Sequence, residues 1–259
     1  MTLSDCGLIK VCLASAAAKV EDAKRHIAIM EGTYKMPYQY QMICLANSRK
    51  HAGRCIAGKI RTGQNAGDWV RPVGTSPSRE ITERDREYAD GTSAQKLDLI
   101  SISFTGPQPP CFQRENHIID DTVYWAKIGQ ATLADLAALV DSPPSLWENG
   151  ESSYSGTNDR VSEAFLALPR QTLYLIQPEN VRIDVAAEGA AFGDAKRSVR
   201  ATFAYNNTTY ALKVTDPAIE QHFKALADGT YHPNDMSYFC ISLGETYNGF
   251  AYKLIAAVF

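Results

Sequence analysis

The sequence predicts a mainly β protein, built as two OB-like antiparallel β-barrels behind an N-terminal helix. Three observations carry this expectation. From Gln41 onward the apolar residues fall in short runs separated by Gly, Asn, Pro and Ser, the texture of strands and turns. Helical segments do not alternate with strands, which disfavours a parallel α/β sheet. The chain of 259 residues is 45% hydrophobic and 21% charged, ordinary globular usage with ample length for one large or two small domains.

Residues 1–40 read as a separate helical segment. Over Ala16–Glu31, Val20, Ala23, Ile27 and Met30 form one apolar stripe, Gly32 ends it and Pro37 blocks continuation. Residues 41–168 are expected to form the first barrel, with strands at Gln41–Ala46, Arg54–Ile60, Asp68–Val73 and Leu97–Phe104. A helix over Thr132–Val140 has Thr132 as its N-cap. Gly150–Asn158 is the best candidate for a long loop or inter-domain connector. Residues 169–259 form the second barrel, with strands at Thr172–Ile176, Val181–Val185, Val199–Tyr205, Thr209–Val214, Tyr238–Leu243 and Phe250–Val258. Asn206-Asn207 suits a tight hairpin because asparagine tolerates positive φ. Asp216-Pro217 opens a helix through Leu226. Strands, one helix, then a final strand pair is the layout of an OB-type barrel.

Bulk properties narrow the function classes. Six scattered cysteines without a CxxC spacing argue for reduced, mostly buried thiols rather than a secreted disulfide framework. There is no membrane-length apolar run and no signal-peptide layout, so a cytoplasmic location and no membrane partner are expected. The net charge of −3 means that any polyanion site must come from local clustering.

Such clustering is present. Asn47–Arg79 holds seven basic residues, Arg49, Lys50, Arg54, Lys59, Arg61, Arg71 and Arg79, against one acid, Asp68. Cations on neighbouring strands could neutralise successive phosphates while Trp69 offers a stacking face. Asn47 and Ser48 add directional hydrogen bonds, and Gly53 and Gly58 allow close backbone approach. An ordinary solvated strand pair is the competing reading. A secondary patch comprises Lys196, Arg197 and Arg200, with Lys213 further on and Phe203, Tyr205 and Tyr210 interleaved; core packing competes for these aromatics. Between the two, Glu115–Glu163 carries nine acids against two basic residues, and either faces away from a polyanion or covers the basic surface.

No catalytic residue, metal site or cofactor is expected. The five histidines are far apart and none pairs with cysteine at zinc-type spacing; Asp120-Asp121 and Asp159-Arg160 would need distant help to bind a divalent ion. GxxxxGK[ST], GxGxxG and GxSxG motifs are absent. Cys55 near His51 and Ser48 could form a thiol nucleophile, but it also opens an apolar strand segment.

Several segments together resemble the dual OB-containing domain family of bacterial proteins. They are Ile43-Cys44-Leu45-Ala46-Asn47-Ser48-Arg49-Lys50, Gly53-Arg54-Cys55-Ile56-Ala57-Gly58, Trp69-Val70-Arg71-Pro72-Val73, Leu146-Trp147, Asp159-Arg160-Val161, Tyr210 through Thr215-Asp216-Pro217, and Tyr252-Lys253-Leu254. The resemblance spans Gln41 to Val258. Gln113-Arg114-Glu115-Asn116 departs from it at the second place, where proline is expected. It implies two OB barrels, nucleic-acid binding and an association with bacterial conflict or antiphage systems.

The resulting expectation is a binding module for nucleic acid, single-stranded DNA or RNA, with a partner protein supplying any catalytic activity. Its site is Asn47, Ser48, Arg49, Lys50, Arg54, Lys59, Trp69 and Arg71. One alternative is an enzyme acting on nucleic acid or nucleotides, with Asn47, Arg49, Arg54, Cys55 and Asp159 in one pocket. Another is a protein-interaction subunit of a defence assembly that docks through the Ala16–Glu31 helix.

Overall fold

Burial along the first strand, β1 (Tyr38–Lys50), is unbroken from Met42 to Ala46. A strand reads that way when both of its faces are covered. The next strands are β2 (Gly53–Ile60), β3 (Trp69–Val73), β4 (Asp98–Pro107), β5 (Asn116–Ile119) and β6 (Ala126–Gln130). Hydrogen bonding runs β1-β2-β3-β5-β4 and returns from β4 to β1, closing a five-stranded barrel with β6 added outside β4. Strands β3 and β5 are parallel, and the other neighbours with a printed register are antiparallel. The computed structural model describes residues 36–108, 112–190, 193 and 195–259. The helix expected over 16–31 lies outside them.

A short helix, α1 (Leu133–Leu136), follows β6 and tightens into a 3₁₀ turn at Ala137–Leu139. Its N-cap is Thr132, whose backbone N–H donates to Asp135 Oδ2 at 2.7 Å. Strands β7 (Arg160–Ser162), β8 (Leu173–Ile176), β9 (Glu179–Glu188), β10 (Lys196–Tyr205) and β11 (Thr208–Val214) come next. Asn206 and Asn207 make the β10–β11 turn at φ of 46° and 60°. Helix α2 (Pro217–Lys224) is capped by Asp216, which accepts from the Ala218 and Ile219 amides. The chain ends with β12 (Gly229–Tyr231), β13 (Phe239–Tyr247) and β14 (Phe250–Val258).

The second sheet has the order β12-β9-β10-β11-β14-β13-β8. Strands β8 and β9 are separated only by Gln177-Pro178, so the path from β9 round to β8 begins and ends on adjoining stretches of chain. Strand β7 pairs with β14, and Leu146, Trp147, Val161 and Leu166 pack into this sheet's core. That segment falls within 41–168, the range expected for the first barrel. No helix among the described residues is long and apolar enough to cross a membrane.

An apolar seam joins the two sheets: Ile43, Leu45, Ala57, Trp69 and Leu136 pack with Leu173, Leu175, Cys240, Ala256 and Ala257. Beside it lies Arg71, only 3% exposed. Its Nη1 donates to Asn116 Oδ1 (3.0 Å), and its Nη2 donates to Thr172 Oγ1 (3.1 Å) and Ser242 Oγ (3.3 Å). Glu115 Oε1 pairs with Nη2 at 3.3 Å and also accepts from the Thr172 hydroxyl. These partners come from both sheets.

A second buried cation, Lys253, donates from Nζ to Glu148 O (2.6 Å) and Asn149 Oδ1 (3.1 Å), pinning the segment before β7. Burial pushes its pKa down from 10.5 to about 7.

Two outcomes follow from these buried cations. Arg71→Met strands a buried carboxylate and should destabilise by about 3–5 kcal/mol in urea unfolding. Adding Glu115→Met should recover part of that loss, and a further loss would contradict the ion-pair account. For Lys253, between about pH 7 and 10.5 the unfolded chain holds a proton that the folded chain lacks. Its contribution to stability therefore rises with pH across that window. The urea midpoint of the wild type, measured against Lys253→Met, should improve between about pH 7 and about pH 9.5.

Candidate nucleic-acid interface

Strand β3 leaves β2 after Val70. Only Trp69 and Val70 pair with β2, whereas Arg71–Val73 pair only with β5. Pro72 fits there because no ladder donor is needed on the open side. At its start β2 instead bridges Arg54 to Ile81. Beside the open edge lies a cleft of about 240 Å³ between the first barrel and the second sheet. Arg49, Lys50, His51 and Arg79 line it from the barrel, and Leu243, Glu245 and Leu254 from the second sheet. His51 occupies the tight β1–β2 turn at φ 48°. Pro72, Val73, Leu243 and Leu254 supply apolar wall, and Glu245 is the one carboxylate among the lining residues.

The cations are mostly answered by distant acids. Arg49 Nη2 pairs with Glu220 at 2.8 Å, and Lys50 Nζ with Glu245 at 2.7 Å. Arg54 Nε pairs with Glu83 at 3.2 Å. Arg79 Nη1 donates to Gly74 O at 3.3 Å. The pairs differ in strength. The Glu245 side chain is 54% exposed, so its pair with Lys50 contributes about 0–1 kcal/mol and exchanges readily. Glu220 is 3% exposed and also holds Lys224 at 2.9 Å, which fixes Arg49 more firmly.

Of the expected site, Ser48, Arg49, Lys50 and Arg71 line the cleft, whereas Asn47, Arg54, Lys59 and Trp69 do not. Asn47 Nδ2 donates to Ala94 O at 2.9 Å. Lys59 Nζ and Trp69 Nε1 both donate to Asp141, at 2.7 and 3.0 Å, in the buried seam. The Trp69 ring therefore packs against protein rather than standing open to a base. Arg71 is held by the four partners already described. Gly53 and Gly58 do serve close approach, but to the protein itself. A Cβ there would lie 2.5 Å from Ile81 O and 1.9 Å from Ile43 O, respectively.

The secondary patch divides in the same way. Lys196 and Arg200 line a second cleft of about 420 Å³ on the β10–β11–β14 surface, together with Arg160, Lys213, Tyr154 and Tyr252. Arg200 forks onto Glu188 at 2.9 and 3.1 Å. Arg197 is elsewhere, donating to Asp228 (2.7 Å) and to Lys224 O and Leu226 O at the end of α2, where a cation is favourable. Tyr210 is buried, with its ring stacked on Phe203, and Tyr205 donates to Pro143 O at 2.8 Å.

The loop 150–158 is folded over Asp159, whose Oδ1 accepts the Ser153 amide at 2.7 Å and whose Oδ2 accepts its hydroxyl at 2.5 Å. It presents Tyr154, 79% exposed. Asp159 thus serves this loop and does not line the inter-barrel cleft with Cys55. Tyr154, Arg160 and Tyr252 were missed as site residues because they share no sequence cluster with the cations they join.

The strand order of the first barrel and the repeat of its β1-β2-β3-β5-β4 ladder by β9-β10-β11-β14-β13 narrow the family. The model of the dual OB-containing domain matches residues 40–258. The chain belongs to that family. No curated protein and no solved structure matches it significantly. OB barrels bind ligands on the second and third strands and on the loops joining strands one–two and four–five. In this dual OB chain, the His51 turn, β3 and Gln113 place the inter-barrel cleft at that position on the first barrel. Gly189, Lys196, Arg200 and Lys213 do the same for the second cleft.

The loop account is testable at Gly156, where a Cβ would lie 1.9 Å from Asp159 Oδ2. Gly156→Ala should dislodge the loop and speed chymotryptic cleavage after Tyr154 several-fold. Unchanged cleavage would contradict the anchoring role.

Proposed function

We propose that this dual OB chain is a nucleic-acid-binding module that takes single-stranded DNA or RNA in the cleft between its barrels. The observation that carries the reading is the convergence of Arg49, Lys50, His51 and Arg79 on one cleft whose lining carboxylate, Glu245, is exposed. A phosphate replaces Glu245 at small cost, because an exposed ion pair is weak. The apolar walls suit the face of a base, and an unpaired strand has bases free to enter. Membership of a family built from OB domains, which generally bind nucleic acids, supports the same reading. We further propose a setting in a bacterial conflict or antiphage assembly, where a partner protein supplies cleavage or modification. One observation favours an enzyme instead: Ser48, His51 and Cys55 line the same cleft. Substrate turnover lost in Cys55→Ala, with binding kept, would decide for it.

The binding reading is tested by fluorescence anisotropy with labelled single- and double-stranded DNA and RNA at about 50 and about 200 mM salt. Contacts to about three phosphates should cost single-strand affinity about twenty-fold across that interval. Lys50→Glu with Arg79→Glu should weaken binding by about tenfold or more at the lower salt. Arg49 is left intact because its reversal would set a second carboxylate against the buried Glu220. Binding unchanged in the variant, or absent from the wild type, would overturn the proposal.

A further inference from the structure

The two clefts meet on one surface. Lys213 lines the basic face and Thr215, two residues on, lines the inter-barrel cleft; Tyr252 and Leu254 are divided in the same way. Leu212, Val214, Ala251, Lys253 and Ile255 are buried between them. Side chains alternate along a strand, so Lys213, Thr215, Tyr252 and Leu254 share its outer face. Strands β11 and β14 are parallel neighbours with Lys213 opposite Leu254, so the clefts are about 4.8 Å apart at this junction, one strand spacing.

The row extends both ways. Arg200 stands opposite Lys213 on β10, and Ser242 opposite Leu254 on β13. It therefore crosses four strands, from the basic face to the serine that accepts from Arg71.

Charge is distributed to match. Arg160, Lys196, Arg200 and Lys213 line the face, and Arg49, Lys50 and Arg79 the cleft. The carboxylates along the row already hold cations: Glu188 holds Arg200, Glu151 holds Arg160 and Glu245 holds Lys50. Exposed Tyr154 and the partly exposed Tyr252 place aromatic rings at the basic end.

We infer that the two clefts are one groove, and that a single strand of nucleic acid crosses the outer face of β11 and β14 to engage both. Phosphates meet Lys213 and Lys196 at one end and Lys50 and Arg79 at the other, with a base stacked on Tyr154. The inference rests on the proposed nucleic-acid reading and adds that affinity has a length threshold.

The test is anisotropy with single strands of about 4 and about 12 nucleotides, lengths that bracket a short and a long OB footprint. The wild type should gain about tenfold or more on the longer strand, because the second contact becomes intramolecular. Tyr154→Ala with Lys213→Glu, both on outward side chains, should remove that gain and bring the longer strand down to the affinity of the shorter. Lys50→Glu with Arg79→Glu should weaken both lengths. A gain that persists in the Tyr154/Lys213 variant, or no gain in the wild type, overturns the groove and leaves the cleft reading standing. No binding of either length overturns both.

Discussion

The guanidinium of Arg71 is the contact on which the arrangement of the barrel and the second sheet turns. Burying a charge costs several kcal/mol before any partner is supplied. Here the partners are divided between the sheets: Asn116 and Glu115 on one side, Thr172 and Ser242 on the other. Any sliding of the barrel on the sheet would break part of this buried set. The set is also incomplete, since Arg71 Nε and Glu115 Oε2 have no hydrogen-bond partner. The pair therefore fixes geometry rather than adding much stability, and the apolar seam from Ile43 to Ala257 supplies the attraction. Because Arg71 sits where β3 parts from β2, the residue that locks the barrel to the sheet also borders the cleft between them.

Electrostatics at the surface follow from the same division. A net charge of −3 spread over the chain gives no general attraction for a polyanion. The acid-rich middle segment supplies partners to cations elsewhere in the chain. Three of its acids go singly to buried cations: Glu115 to Arg71, Asp141 to Lys59, Asp159 to Arg200. Near solvent, Lys50 and Arg54 pair with carboxylates that are themselves exposed, whereas Arg49 is held by the buried Glu220. At the first two, an incoming anion can substitute for the carboxylate without uncovering a buried charge.

Much of the fold was legible because local chemistry dictated it. Asn206-Asn207 could take the positive φ of a hairpin, Asp216-Pro217 could open a helix, and Thr132 could cap one. Strands β5, β6, β7 and the three-residue β12 were not legible. Asn116–Ile119 has only two apolar side chains, Ala126–Gln130 is an exposed edge, and Arg160–Ser162 is three residues long. The site was legible in charge but not in depth. Every residue of β3 is buried, so the period-two rule that separates an inner from an outer face carried no information for Trp69 or Arg71. The acids that pair with the basic cluster lie 29 to 195 positions away, beyond any local count. Tyr154 and Arg160 meet Lys196 and Lys213 only because β7 and its preceding loop pack on β14 and β11.

The account's central claim is that a single strand occupies the inter-barrel cleft. Hydrogen–deuterium exchange of the full chain, with and without a saturating single-stranded oligonucleotide, tests it most directly. The account predicts slowed exchange in the segments that wall the cleft, residues 48–55 and 242–246, with the far edge at β6 unchanged. Protection confined to β6 and α1, or none at saturation, would contradict it.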